Sequence, residues 1–222
     1  MEKHNYHKEL ENIISQFTGK TDPDKPTLLL HACCGPCSSY VLEYLASIFN
    51  ITVYFYNPNI QPEKEYNRRL EELKKFLTIF PDAVKNKVTL KIEDYNPQDY
   101  FDATNVLKET ELQREPEKGE RCRRCYSFRM KKAWDCACSS SFDFFTTTLS
   151  ISPHKDSEKI NTIGKELESL KPPEIRTRFL PADFKKRGGF LRSTQLSSQY
   201  GLWRQDYCGC VYSMRKEEKS DE

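Results

Sequence analysis

Apolar residues recur along this chain in two alternating rhythms. Short apolar runs bounded by Pro, Gly or Asn read as buried strands: Thr27 to His31, followed by Gly35-Pro36, and Ile51 to Tyr56, closed by Asn57-Pro58-Asn59. Between them Val41, Leu42, Leu45, Ile48 and Phe49 recur at helical spacing, and Pro36 suits a first helical turn. This is a βαβ unit. The pattern continues with an amphipathic helix carrying Tyr66, Leu70, Leu73, Leu77 and Phe80 on one face, then a strand near Lys87 to Ile92. Helices fit Gln98 to Leu107 and Arg124 to Ala137, a strand fits Phe142 to Thr147, and a helix fits Lys155 to Leu170. A strand near Arg176 to Leu180 and a helix from about Gly189 to Tyr200 complete the series.

Short connections between alternating elements predict an α/β fold, a mostly parallel sheet flanked by helices on both faces. Ligands of such sheets bind beyond the carboxyl ends of the strands. Cys33 and Cys34 fall at that end of the first strand and Ser150 to His154 at that end of a later one, so both belong to the functional edge. The 222 residues suit a single catalytic domain over 26–214, with a helical extension over 1–25 and a polar, disordered tail over 215–222. No internal repeat and no Gly- or Ser-rich linker interrupts it.

Charge adds less by its sum than by its distribution. The formal net charge is +2, too small to announce a nucleic-acid binder. Basic residues nevertheless crowd two places: Arg121, Arg123, Arg124, Arg129, Lys131 and Lys132, and then Lys185, Lys186, Arg187, Arg192 and Arg204. Two such clusters beside cysteine motifs favour a phosphate-bearing substrate over a merely solvated helix face. The chain shows no membrane-length apolar run and its start lacks a signal-type hydrophobic stretch, so a reducing cytoplasm is expected, where thiols stay free for metal or redox work.

The nine cysteines carry the chemistry. Cys33 and Cys34 cannot share one face of a strand, so they must occupy the strand-to-helix turn, where Gly35 lets both sulfurs converge. Cys37 projects from the new helix as a third ligand, an acid-base thiol or a packing residue. Cys122 and Cys125, spaced one helical turn apart, present two more thiolates, and with Cys33 and Cys34 they supply the donors for a [4Fe–4S] cluster or a zinc ion. Cys208 and Cys210 across Gly209 would close a small strained disulfide ring, a labile two-electron store, or would complete a metal site. Cys136 and Cys138 read as packing residues. Asp183 and Asp206, near the late cysteines, could bind a hard metal or move a proton, but a helix cap or an arginine partner explains either equally well. His31, on a buried strand, reads as a hydrogen-bonded core residue; His154 could meet substrate, and neither is assigned to catalysis.

Taken in order, His31-Ala32-Cys33-Cys34-Gly35-Pro36-Cys37-Ser38, Tyr56-Asn57-Pro58-Asn59-Ile60, Glu115-Pro116-Glu117, Arg121-Cys122-Arg123-Arg124-Cys125-Tyr126, Thr147-Thr148-Leu149 with Ser152-Pro153, and Tyr207-Cys208-Gly209-Cys210 resemble the QueH family of epoxyqueuosine reductases. The resemblance spans nearly all of the chain after its first 25 or so residues. It implies a fold similar to the adenine nucleotide alpha hydrolase-like (HUP) proteins and a cobalamin-independent, two-electron removal of the epoxide oxygen of epoxyqueuosine at the tRNA wobble position. It also implies a [4Fe–4S] cluster on Cys33, Cys34, Cys122 and Cys125, and a redox-active pair, Cys208 and Cys210, reset by an external electron donor. A second iron or other metal ion beside the cluster is implied too, with Cys37 and an aspartate both open as its ligand.

For a tRNA anticodon loop carrying epoxyqueuosine, arginine and lysine should hold phosphates and aromatic rings should grip the unstacked base. Arg121, Arg124, Lys186, Arg204 and Tyr207 are the candidate contacts, with Tyr126, Tyr200 and Trp203 further aromatic candidates by position. Two features depart from the family pattern: Asp156 stands where asparagine is preferred, and the Cys136/Cys138 pair is peculiar to this chain. Two rivals remain, an ATP-dependent tRNA-modifying enzyme, whose Gly- and Ser-rich phosphate loop is replaced here by cysteines, and a zinc-stapled tRNA-binding module.

Overall fold

The strands expected from the apolar runs assemble into one all-parallel sheet in a computed structural model that describes residues 4–214; the polar tail expected over 215–222 lies outside them. The strands are β1 (Thr27–His31), β2 (Asn50–Phe55), β3 (Thr89–Ile92), β4 (Phe144–Thr147) and β5 (Arg178–Phe179), in the order β3-β2-β1-β4-β5. Leu28 of β1 faces Ile51 of β2 on one side and Phe144 of β4 on the other, in register. β1 is central because its residues from Leu28 onward are fully buried, which suits a strand covered on both faces.

Helices α1 (Tyr6–Ile14), α2 (Gly35–Leu45), α3 (Glu63–Ile79), α4 (Pro81–Lys85), α5 (Pro97–Thr104), α6 (Glu111–Arg114), α7 (Glu120–Ser139), α8 (Ser157–Ser169) and α9 (Gly189–Gln199) surround the sheet. Strand alternation sorts the core into two layers. Leu28 and Leu30 pack with Leu42 of α2, Leu73 and Phe76 of α3 and Leu196 of α9, whereas Leu29 packs with Met130 of α7 and Ile160 and Ile163 of α8. Leu10 and Ile14 of α1 join the first layer, so the N-terminal helix is part of the packed core.

The elements differ from the expected ones mainly at their ends. α8 begins at Ser157, not Lys155, because the Asp156 carboxylate accepts from the Glu158 and Lys159 amides and so sets the first turn. β5 keeps only Arg178–Phe179, although the Leu180 amide still donates to Phe145 O. The short helices α4 and α6 lie in stretches whose apolar pattern is too brief to mark them.

The chain steps outward from β1 to β2 and β3 on one side and then returns through β4 to β5 on the other. This reversal opens a crevice between the carboxyl ends of β1 and β4, the usual ligand position of open α/β sheets. His31 closes β1 there. It is wholly buried, with Nδ1 accepting from the Thr147 hydroxyl at 2.8 Å and Nε2–H donating to Tyr56 O at 3.3 Å. Burial, with Arg129 nearby, depresses its pKa to about 3. The unfolded chain therefore binds a proton below pH about 6.5 that the folded chain refuses, and stability falls as pH drops from there toward 3. Denaturant titrations are expected to show a His31 contribution of up to about 1.4 kcal/mol per pH unit in that window, removed in His31→Gln.

Candidate active site

The first sulfur set arises where β1 becomes α2. Cys34 is extended (φ −173°) and acts as the N-cap of α2, its Sγ accepting from the Cys37 amide at 3.3 Å. An oxygen-bearing side chain ordinarily fills this position, so a sulfur here is tied both to the backbone and to the positive end of a helix. Extended backbone would send Cys33 and Cys34 to opposite faces, but the turn brings their sulfurs to 3.9 Å. Cys37, one turn on, completes a set whose ligand atoms all lie within 4.8 Å of one another, and no other such group occurs among the described residues. Gly35 allows α2 to lie close to α3: a Cβ there would sit 3.2 Å from Glu72 O.

The three thiols share their protons. Hydrogen bonds from Cys34 and Cys37 hold the Cys33 thiol well below its usual range, despite burial, and Lys155 and Arg129 reinforce this. Burial pushes Cys34 up, and the hydrogen bond with Cys33 pushes Cys37 up to about 12. Gln205 donates its Nε2 to Cys34 Sγ at 3.1 Å and to Cys37 Sγ at 3.7 Å.

The second sulfur set joins the first turns of α7 to the late loop. Cys125 and Cys210 share a small apolar cluster with Tyr100, Val106 and Leu112, and the Tyr100 hydroxyl lies 2.9 Å from Cys210 Sγ. Burial, with Cys208 nearby, pushes Cys125 up to about 12 and Cys210 up to about 11. Cys122 is also pushed up by burial and then by Cys208. All nine cysteines are free thiols, so Cys208 and Cys210 stand as a dithiol. The loop after β2 clasps this turn. Gln61 N–H donates to Gly209 O at 2.8 Å, Tyr207 OH donates to Gln61 O, and Arg69 donates to the carbonyls of Cys208 (3.0 Å) and Tyr207 (3.1 Å).

Buried cations lie around both sets. Arg129 donates to Asn57 Oδ1, whose amide donates to Ala32 O at 2.9 Å, linking α7 to the residue before Cys33. Its guanidinium lowers both Cys33 and Cys125. Neither Arg129 nor Lys155 has a carboxylate within ion-pair distance among the described residues, although they are 1% and 8% exposed. Buried charge demands a partner, and here the partners at hand are sulfurs. The soft Cys33/Cys34/Cys37 donor set beside buried positive charge fits an anionic iron–sulfur cluster, and its sulfurs also suit zinc; Cys122 and Cys125 lie outside the 4.8 Å set. Cys37, Lys155, Gln205, Asp206, Tyr207 and Cys208 line an open cavity of about 480 Å³ above it.

Several residues expected at a substrate are placed elsewhere. Arg121 is 1% exposed and gives its guanidinium to Leu112 O and Gln113 O at the end of α6, and Arg124 is held by Glu109 and Glu120. Both arginines brace α7 instead of offering a free head group to phosphate. Tyr126 is buried with Met130, and Tyr200 packs edge-on against Phe76 and Phe80, so neither ring is open to stack a base. Asp183 accepts from Lys185 and Ser157 and, with Lys186, lines a separate cavity beside α1. Arg204, Asp206 and Tyr207 do line the sulfur cavity. Trp203 is partly buried under Arg68, whose guanidinium lies 3.5 Å from the ring. Cys136 and Cys138 pack at the edge of the second core layer, Cys136 3.2 Å from Lys91 Nζ. Asp156 caps α8, a task asparagine performs as well, so that departure leaves the fold unchanged.

The sequence marked Arg129 only as one of a basic cluster and Asn57 only as part of a family motif, and it gave Arg69 and Gln205 no role in the site. Arg129 had a signal: it follows Cys122 and Cys125 on one helical stripe. The other three gain meaning only from distant partners.

The family model described as "Epoxyqueuosine reductase QueH" matches residues 28–216. The chain belongs to the QueH family. A protein named epoxyqueuosine reductase QueH from Streptococcus pyogenes serotype M1 is 38% identical over 96% of this chain and 80% of its own. One of the same name from Haemophilus influenzae is 40% identical over 86% and 73%, and one from Thermotoga maritima is 32% identical over 85% and 90%. No described helix of this QueH-family protein is long and apolar enough to cross a membrane.

In this family member the clasped turn depends on Gly209, at φ +112° with a hypothetical Cβ 2.9 Å from Ile60 Cγ1. Gly209→Ala is expected to cost about 1–3 kcal/mol in denaturant unfolding and to speed hydrogen exchange at the Gln61 amide.

Proposed function

We propose that this protein removes the epoxide oxygen from epoxyqueuosine at the wobble position of tRNA, leaving queuosine. As a member of the QueH family it is an oxidoreductase of tRNA modification. The observation that supports the reading is the buried Cys33/Cys34/Cys37 cluster at the carboxyl end of β1, whose Cys37 lines one cavity with Cys208 and with Lys155, a buried cation that has no carboxylate partner among the described residues.

Removing an epoxide oxygen breaks two C–O bonds, forms one C=C bond and releases water, with two electrons and two protons consumed. Cys33, Cys34, Cys122 and Cys125 would hold a [4Fe–4S] cluster, which when bound supplies electrons one at a time. Cys37 and Asp206 stay as candidates for holding a second metal, Asp206 because it lines the sulfur cavity, whereas Asp183 is already engaged by Lys185. The Cys208/Cys210 dithiol would hold an electron pair and deliver it, with two protons, by closing to a disulfide, and an external reductant would reopen it. The clasp from the loop after β2 fixes the backbone around that pair. Arg204 and Tyr207, which line the cavity although Arg204 is held by Ser193 and Ser197 and the Tyr207 hydroxyl by Gln61 O, and the exposed Lys186 remain the candidate contacts for tRNA phosphate and base. Such a reaction belongs in the cytoplasm, with tRNA.

Nucleoside mass spectrometry of tRNA carrying epoxyqueuosine, incubated anaerobically with the protein and dithionite, tests this. Conversion to queuosine is expected with the native chain and a loss of at least about 10²-fold in Cys208→Ser. Unchanged epoxyqueuosine with metal-replete native protein would refute the reading.

A further inference from the structure

The buried cations near the sulfurs are engaged, with one exception. Arg69 is held by Glu65 and two carbonyls, Arg121 by two carbonyls, and Arg129 by Asn57. Lys155 is 8% exposed, yet its ammonium makes no ion pair and no side-chain hydrogen bond among the described residues. It lines the 480 Å³ cavity together with Cys37 and Cys208. Burial lowers its pKa, but the sulfurs of Cys208, Cys33 and Cys37 outweigh that and hold it above the ordinary lysine value.

The Lys155 ammonium opens onto a substrate-sized cavity and has no protein oxygen acceptor among the described residues. The epoxide oxygen is the atom of the proposed substrate on which negative charge develops as its bond to carbon opens. Donors fixed where charge develops are among the largest contributions to catalysis. We propose that Lys155 is a catalytic residue whose ammonium binds the epoxide oxygen and gives it a proton as the first C–O bond breaks.

This rests on the reading above, with the Cys208/Cys210 dithiol as the reductant. Both C–O bonds break, the carbons form a double bond, and the two thiols become one disulfide. Their two protons leave with the oxygen as water, Lys155 passing one of them on and being reprotonated by the other thiol's release. Atoms and electrons balance without a further co-reactant until the disulfide is reset.

The test compares native protein, Lys155→Ala and Lys155→Arg in single-turnover and steady-state conversion of tRNA carrying epoxyqueuosine, with iron and sulfide content measured on the same samples. Lys155→Ala is expected to lose about 10²–10³-fold in kcat. Its KM and metal content should stay within about threefold of native, and added methylammonium should restore part of the rate. Lys155→Arg should keep its metal content and retain more activity than the alanine variant.

A kcat within about threefold of native in Lys155→Ala would overturn the proposal, as would a defect confined to KM, which would mark a phosphate anchor. Loss of metal in both variants would also overturn it, by making Lys155 structural. Native protein that leaves epoxyqueuosine tRNA untouched would remove the functional reading itself, an outcome distinct from active native protein with an indifferent Lys155.

Discussion

A sulfur stands where a helix-capping oxygen ordinarily does, and the site is built outward from that one hydrogen bond. The Cys34 Sγ accepts the Cys37 amide at the first turn of α2. Because the cap fixes Cys34, the residue before it is delivered from the end of a buried central strand and the residue three later from the same turn. Three thiols thus meet without any loop having to be held in place separately. The close approach of α2 to α3 at Gly35 locks the arrangement from behind.

That geometry would be costly if the thiols were the only buried ionisable groups. Cations offset them: Arg129 of α7 acts on Cys33 of one set and Cys125 of the other, and Lys155, in the turn before α8, acts with Cys33, Cys37 and Cys208. In a low-dielectric interior such charges interact strongly, and each would be destabilising without the other. The site is therefore electrostatically prepared for a negatively charged guest. The clasp of Arg69 and the loop after β2 on the Cys208-Gly209-Cys210 turn holds Cys208 on the wall of the cavity that Cys37 also lines.

The parallel sheet was legible because strands buried on both faces read as unbroken apolar runs, as Leu28-Leu29-Leu30 does. The sulfur pairs were legible from spacing alone, since one helical turn joins Cys122 to Cys125 and one residue separates Cys208 from Cys210. What spacing could not reveal is which polar groups are already engaged. Arg124 is committed to Glu109, 15 residues away, and Gln205 meets Cys34 across 171 residues. Tyr126 belongs to a helix face that only the packing of α7 on the sheet turns inward. Counting basic residues near a motif therefore overstates how many are free, and Lys155, the one buried lysine among the described residues and one without an ion pair, carried no distinguishing local signal.

The proposed function needs sulfurs from the β1–α2 turn and from α7 to hold one iron–sulfur cluster. Iron, zinc and acid-labile sulfide should be measured in protein purified without oxygen, for the native chain and for Cys33→Ser and Cys122→Ser separately. About four irons and four sulfides per chain, lost from each variant alone, is the expected result. Zinc without sulfide in the native protein, or a full iron and sulfide complement in Cys122→Ser, would contradict it.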